Sequence, residues 1–172
     1  MTDQFNTLIQ KYSTLNNLPW RLVYRQIEQE SNGDANIVES GTGALGLLQL
    51  MPSSFPSYAK EQLLDPETNI KIGSAYLKEC IDEFKLEVGF EKMNFGLAAY
   101  NAGLRNILQA QAISKANSYP SSCWAPVSLS LVKVTGIKNA LQTAWYVWKI
   151  MTDYTSDISE AMSTAKTSAP AK

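Results

Sequence analysis

The chain has 172 residues, 45% hydrophobic and 18% charged, with 15 Lys+Arg against 16 Asp+Glu, two cysteines and no histidine. That length suits one domain, since a domain takes roughly 100–200 residues, and it needs no staple, because a chain this long buries roughly two-thirds of its unfolded surface. The missing histidine excludes Ser-His-Asp and Cys-His nucleophiles and imidazole zinc sites, which leaves acid–base work to carboxylates, Tyr, Lys or Cys, and the net charge of −1 leaves no electrostatic footprint for nucleic acid.

In chain order the pattern is helical, with no period-2 strand. A short helix is expected over 3–13 and a second from Pro19, placed for a first helical position, to Ser31. Residues 32–45 are turn chemistry, and Met51-Pro52-Ser53-Ser54 opens a short turn. Asp65-Pro66-Glu67 reads as a cap and proline start for a long helix to about Lys85. Further helices follow over 90–100, stopping near Gly103, and over 104–115. Residues 119–126, with two prolines, read as a structured loop. The last clear helix is 137–151, so the domain is placed at 1–151, with a fraying Ser/Thr/Ala/Lys-rich tail over 152–172.

Cys80 shares a helical face with Leu77, Ile81 and Phe84 and reads as a buried free thiol. A Cys80–Cys123 disulfide is the alternative, and it would require an oxidising compartment. No secretory signal is visible in the first thirty residues, and no stretch reaches the ~18 apolar residues of a membrane span, so no membrane insertion is expected.

The second helix carries the most informative carboxylate. Leu22, Val23 and Ile27 share one face; Arg21, Arg25 and Glu28 share the other. Glu30 follows Val23 by seven and Ile27 by three, so it projects from the apolar face. Burial raises the pKa of such a group toward that of a working general acid, which is what a glycosidase needs to protonate a leaving oxygen. The alternative is a solvated helix end or the partner of an arginine. Asp34 and Glu39, on the loop that follows, are the sequence-near candidates for a second acid. Glu28, Glu61, Glu79, Asp82, Glu83, Glu87 and Glu91 read as solvated surface. Phe90, Met93, Leu97 and Tyr100 share a face that packs the Tyr100 ring inward.

Glu30-Ser31, Gly43-Ala44-Leu45-Gly46-Leu47-Leu48-Gln49-Leu50-Met51-Pro52, Asp65 to Leu77, and Ala98-Ala99-Tyr100-Asn101-Ala102-Gly103 together resemble the soluble lytic transglycosylase family, related to goose-type lysozyme. The likeness covers about residues 18–110. It implies an all-α, lysozyme-like domain with a groove for peptidoglycan glycan strands. It also implies a non-hydrolytic cleavage between N-acetylmuramic acid and N-acetylglucosamine that leaves anhydromuramic ends, with no metal or cofactor. On that resemblance Glu30 is the single acid/base, with Ser31 fixing it or touching the sugar. Gln49 binds substrate beside Gly46, where the backbone is approached closely; Met51 lines the groove; Tyr100 hydrogen-bonds Glu30; and Asn101 contacts the sugar. The family's later Glu-Thr-x-x-Tyr-Val segment has its counterpart in Gln142-Thr143-Ala144-Trp145-Tyr146-Val147, with Gln for Glu and with Tyr146 readable as site or core. A hydrolytic muramidase and a non-catalytic glycan-binding subunit of the same fold are the alternatives. The expected setting is the bacterial wall or periplasm, reached with a phage particle or lysis system, or beside a secretion or conjugation apparatus.

Overall fold

Apolar residues at helical spacing organise the molecule into eight α-helices over residues 2–39 and 41–167, which the computed structural model describes. A 3₁₀ turn, Thr2–Phe5, leads into α1, Asn6–Leu15. α2 is Trp20–Ser31. It starts one residue later than expected because Pro19 is extended, at φ −62° and ψ 120°, and contributes only its carbonyl to the amides of Leu22 and Val23. α3 (Lys60–Leu64) is a short helix the sequence did not announce. α4 (Pro66–Glu83) begins as expected, with the Asp65 carboxylate accepting the Thr68 amide at 2.8 Å. α5 is Gly89–Ala102 and α6 Leu104–Ala116. α7 is Trp124–Thr135 and α8 Ile137–Thr167.

α5 lies at the centre, with α4, α6, α7 and α8 packed on it. Its stretch Phe95-Gly96-Leu97-Ala98-Ala99 is buried on every side, while Phe90 is 52% exposed. The one-sided face expected for this helix is therefore absent, because neighbours surround it. Gly96 makes the closest of these contacts possible, since a Cβ there would stand 2.2 Å from Ile81 Cγ1 on α4.

Three other expectations change. Residues 124–126 are helical, and α7 buries Trp124, Val127, Ser130 and Leu131. Pro126 is tolerated because first-turn amides have no partner inside the helix. The Trp124 amide instead donates to Glu91 Oε2 at 2.8 Å, so Glu91 caps α7 rather than facing solvent. Glu87 is likewise buried and accepts from Gln111 Nε2 at 2.8 Å. The stretch from Thr152 to Thr167 continues α8 because Tyr154 and Ile158 pack on the core and Asp157 pairs with Arg25 of α2. Residues 168–172 of the expected tail lie outside the described residues. Cys80 and Cys123 are both free, and burial pushes the Cys80 thiol up to about 11. No helix among the described residues is long and apolar enough to cross a membrane.

Candidate active site

The last turn of α2 places Glu30 on the inner side of the helix, with Leu22, Val23, Gln26 and Ile27 buried along the same side. Asn32 then takes a left-handed conformation, φ 52°, and stops the helix. Ser31 serves that stop. Its hydroxyl donates to the Ile27 carbonyl at 3.1 Å and accepts the Gly33 amide at 3.2 Å, and the side chain is buried. These bonds shape the helix end that carries Glu30.

Glu30 keeps part of its surface open, but its carboxyl group is enclosed by protein. The Tyr146 hydroxyl of α8 donates to Oε1 at 2.6 Å. Burial lifts the Glu30 pKa from 4.5 to about 7, the Tyr146 hydrogen bond opposes that rise, and the negative charge of Glu39 adds to it. At neutral pH the group is thus divided between acid and carboxylate, as proton donation followed by proton acceptance requires. The Tyr146 ring is buried and its hydroxyl reaches the Glu30 carboxyl. The amide of Gln26, fully buried one turn before Glu30, donates to the Tyr146 oxygen at 3.1 Å.

Tyr100 differs from expectation. Its hydroxyl donates to the Leu48 carbonyl at 2.7 Å instead of to Glu30. Its phenol is pushed well above the ordinary range by burial, with the Glu30 charge adding to the effect, so it stands beside the acid without bonding it. The bond to Leu48 ties α5 to the Gly43–Met51 loop. Within that loop Leu45 and Leu50 exchange two backbone hydrogen bonds, at 3.0 and 2.9 Å. Gly46 has φ +70°, and a Cβ there would fall 2.6 Å from Asn69 Nδ2. A close approach at Gly46 is therefore made by Asn69 in the core. Gln49 sits at φ 46° and donates one amide hydrogen to the Gly46 carbonyl at 2.9 Å. Met51 is exposed at the start of the Pro52–Ser54 turn. Asn101 accepts the Thr143 hydroxyl at 2.9 Å, which joins α5 to α8. Asn101, Asn106, Asn139, Gln142 and Thr143 border a hollow of about 240 Å³ lined without charge.

Of the two candidate second acids, Asp34 is turned into its own loop, accepting the Asn36 amide at 2.9 Å. Glu39 is exposed and accepts the Thr42 hydroxyl at 2.7 Å, yet its charge reaches Glu30. Glu39→Gln is expected to lower the pH at which Glu30 titrates, read from the carboxyl ¹³C shift; an upward move would contradict this arrangement. Among the described residues no group of three or more His, Cys, Asp or Glu is arranged to hold a metal ion.

Sequence reasoning missed Gln26, Asn69 and Thr143. The signal available for the first two was a polar residue on the apolar side of a helix: Gln26 three and four positions after Val23 and Leu22, and Asn69 three positions before Ile72.

Residues 7–121 match the family described as transglycosylase SLT domain. The chain is 31% identical over 143 residues to membrane-bound lytic murein transglycosylase F of Vibrio cholerae, covering 83% of this chain and 26% of that one. It is 35% identical over 113 residues to the transglycosylase of Enterobacteria phage PRD1, covering 66% of this chain and 39% of that one. Its fold is similar to the 70 kDa soluble lytic transglycosylase of Escherichia coli, with a TM-score of 0.66 and 28% identity over 87% of this chain and 23% of that one. By the domain match, supported by the all-helical fold, the chain belongs to the transglycosylase SLT domain family.

Proposed function

We propose that the chain is a peptidoglycan lytic transglycosylase with Glu30 as its single acid/base. The observation that carries this reading is one enclosed carboxyl, pushed up to about 7 and held at Oε1 by the Tyr146 hydroxyl. Glu30 gives its proton to the glycosidic oxygen between N-acetylmuramic acid and N-acetylglucosamine, and that bond breaks. The resulting carboxylate takes the proton of the muramyl hydroxymethyl group as its oxygen bonds the anomeric carbon and closes the anhydro ring. The substrate's N-acetyl group can assist. The carboxyl returns protonated, and no water is consumed. Gln49, Met51 and Asn101 border the strand, while Tyr146 and, at one remove, Tyr100 hold the groups around the acid.

Digestion of purified peptidoglycan followed by mass spectrometry tests the reading. Anhydromuramic ends are expected. Reducing muramic ends would instead establish hydrolysis, a reading that the Glu39 charge near Glu30 favours, because a hydrolase needs a second group to position water. Binding without products would leave a glycan-binding subunit. The phage relative supports delivery with a virion to the wall, for which mass spectrometry of purified virions is the check.

A further inference from the structure

We propose that Gln26 is a positioning residue that, acting through Tyr146, fixes which oxygen of Glu30 carries the acid proton. The inference rests on the acid/base reading of Glu30 and adds a residue to it. Gln26 is fully buried, and its Nε2 lies 3.1 Å from the Tyr146 oxygen, which in turn lies 2.6 Å from Glu30 Oε1. A phenol has one proton. With the amide N–H of Gln26 donating to the phenol oxygen, that proton points at Glu30, and Oε1 is always the acceptor. Whenever Glu30 is protonated its own hydrogen must then sit on Oε2.

The reverse orientation of the amide does not serve the ionised acid. It would draw the Tyr146 proton toward Gln26 and leave the phenol oxygen and a carboxylate oxygen facing each other at 2.6 Å with no proton between them. The chosen orientation has a visible consequence: Gln26 Oε1 is buried with no hydrogen-bond partner. An unpartnered buried amide oxygen is unfavourable, and an apolar residue there would suit the Leu22, Val23 and Ile27 side of α2 better. The amide's other end supplies the donor that aligns the acid. Donation by Gln26 also polarises the phenol and makes it a stronger donor to the carboxylate.

The groups that face Glu30 are Tyr146 from α8, Tyr100 from α5 and Glu39 from the loop after α2, and none of them replaces the Gln26 donor. Gln26→Met, with Gln26→Leu as a second variant of similar size, is the test, each made in the wild type and in Tyr146→Phe. In the wild-type background kcat is expected to fall about tenfold, the size of one lost hydrogen bond, with KM unchanged. The ¹³C titration of Glu30 is expected to move to higher pH, because the carboxylate loses a strengthened donor, while the melting temperature holds or rises. In Tyr146→Phe the same changes should have no further effect on either readout. An unshifted Glu30 titration, or an equal loss in both backgrounds, overturns the proposal. The titration remains readable if peptidoglycan is not cleaved, so failure of the activity reading shows separately, in the products of the unmodified protein.

Discussion

Glu30→Gln is expected to remove turnover while making the folded chain more stable at neutral and alkaline pH. The loss of activity should be about a thousandfold or more, since one group supplies both proton transfers and general acid–base catalysis is worth 10²–10⁴ per group. The stability gain follows from linkage. Below pH 4.5 the carboxyl is protonated in both folded and unfolded chains, and burying it carries no ionic penalty. Between 4.5 and about 7 the folded chain holds a proton that the unfolded chain has released, so stability falls as pH rises. Above that window the full penalty applies, about 3 kcal/mol for a displacement of this size. Glutamine is neutral throughout and still offers an oxygen to the Tyr146 hydroxyl. The variant should match the wild type near pH 4.5 and melt roughly 6–12 °C higher at pH 8, by the ~2–4 °C per kcal/mol usual at this chain length. Thermal denaturation across pH measures this. A melting difference that does not change with pH would refute the enclosed acid, and an active variant would refute its role.

Asn69→Leu should have the largest effect on the fold. Asn69 is fully buried in α4, and its carboxamide closes three contacts with two chain segments. Its oxygen accepts the Leu48 amide at 2.8 Å, and its nitrogen donates to the Leu45 carbonyl at 2.9 Å and the Leu63 carbonyl at 2.7 Å. Leucine has nearly the same volume but leaves three buried backbone groups unpaired, each unfavourable by about 1–3 kcal/mol. A loss of at least about 3 kcal/mol is expected, seen as a melting temperature lower by roughly 6 °C or more. The damage should centre on the Gly43–Met51 loop, so hydrogen exchange at the Leu48 and Leu50 amides should quicken more than in α7. Exchange that rises evenly over the chain would mean Asn69 is ordinary core.

The parts of this molecule legible in its sequence are those where local chemistry decides. Asp65-Pro66 starts α4 as a cap and proline must, and Glu30 stands on the inner side of α2 as its spacing from Val23 and Ile27 requires. What escaped was decided by distant partners. α7 has a proline in its first turn and is rich in Ser and β-branched residues, a poor helical signal alone. It forms because α6 and α8 bury one of its sides and Glu91 caps its start from α5. The end of α8 reads as a loose tail until Tyr154, Asp157 and Ile158 find α2 and the core. The site shows the same division. The inward placement of Glu30 was visible from its own helix, whereas Tyr100 was expected to be its hydrogen-bond partner and is not, because Tyr100 gives its proton to Leu48 and Tyr146 of α8 reaches Glu30 instead. Gln26 and Asn69 were overlooked because an amide on the apolar side of a helix carries no sign of which distant group it will meet.

Glu30 and Tyr146 are separated by 116 positions and meet only where α8 lies along α2. The enclosure that raises the Glu30 pKa against the pull of the Tyr146 hydrogen bond is therefore present only in the packed fold. While the chain is being made, or when α8 lifts away, Glu30 reverts toward the strength of any solvated glutamate, ionised at neutral pH and unable to donate. On the proposed reading, the Glu30 proton donor exists only while α2 and α8 are packed together.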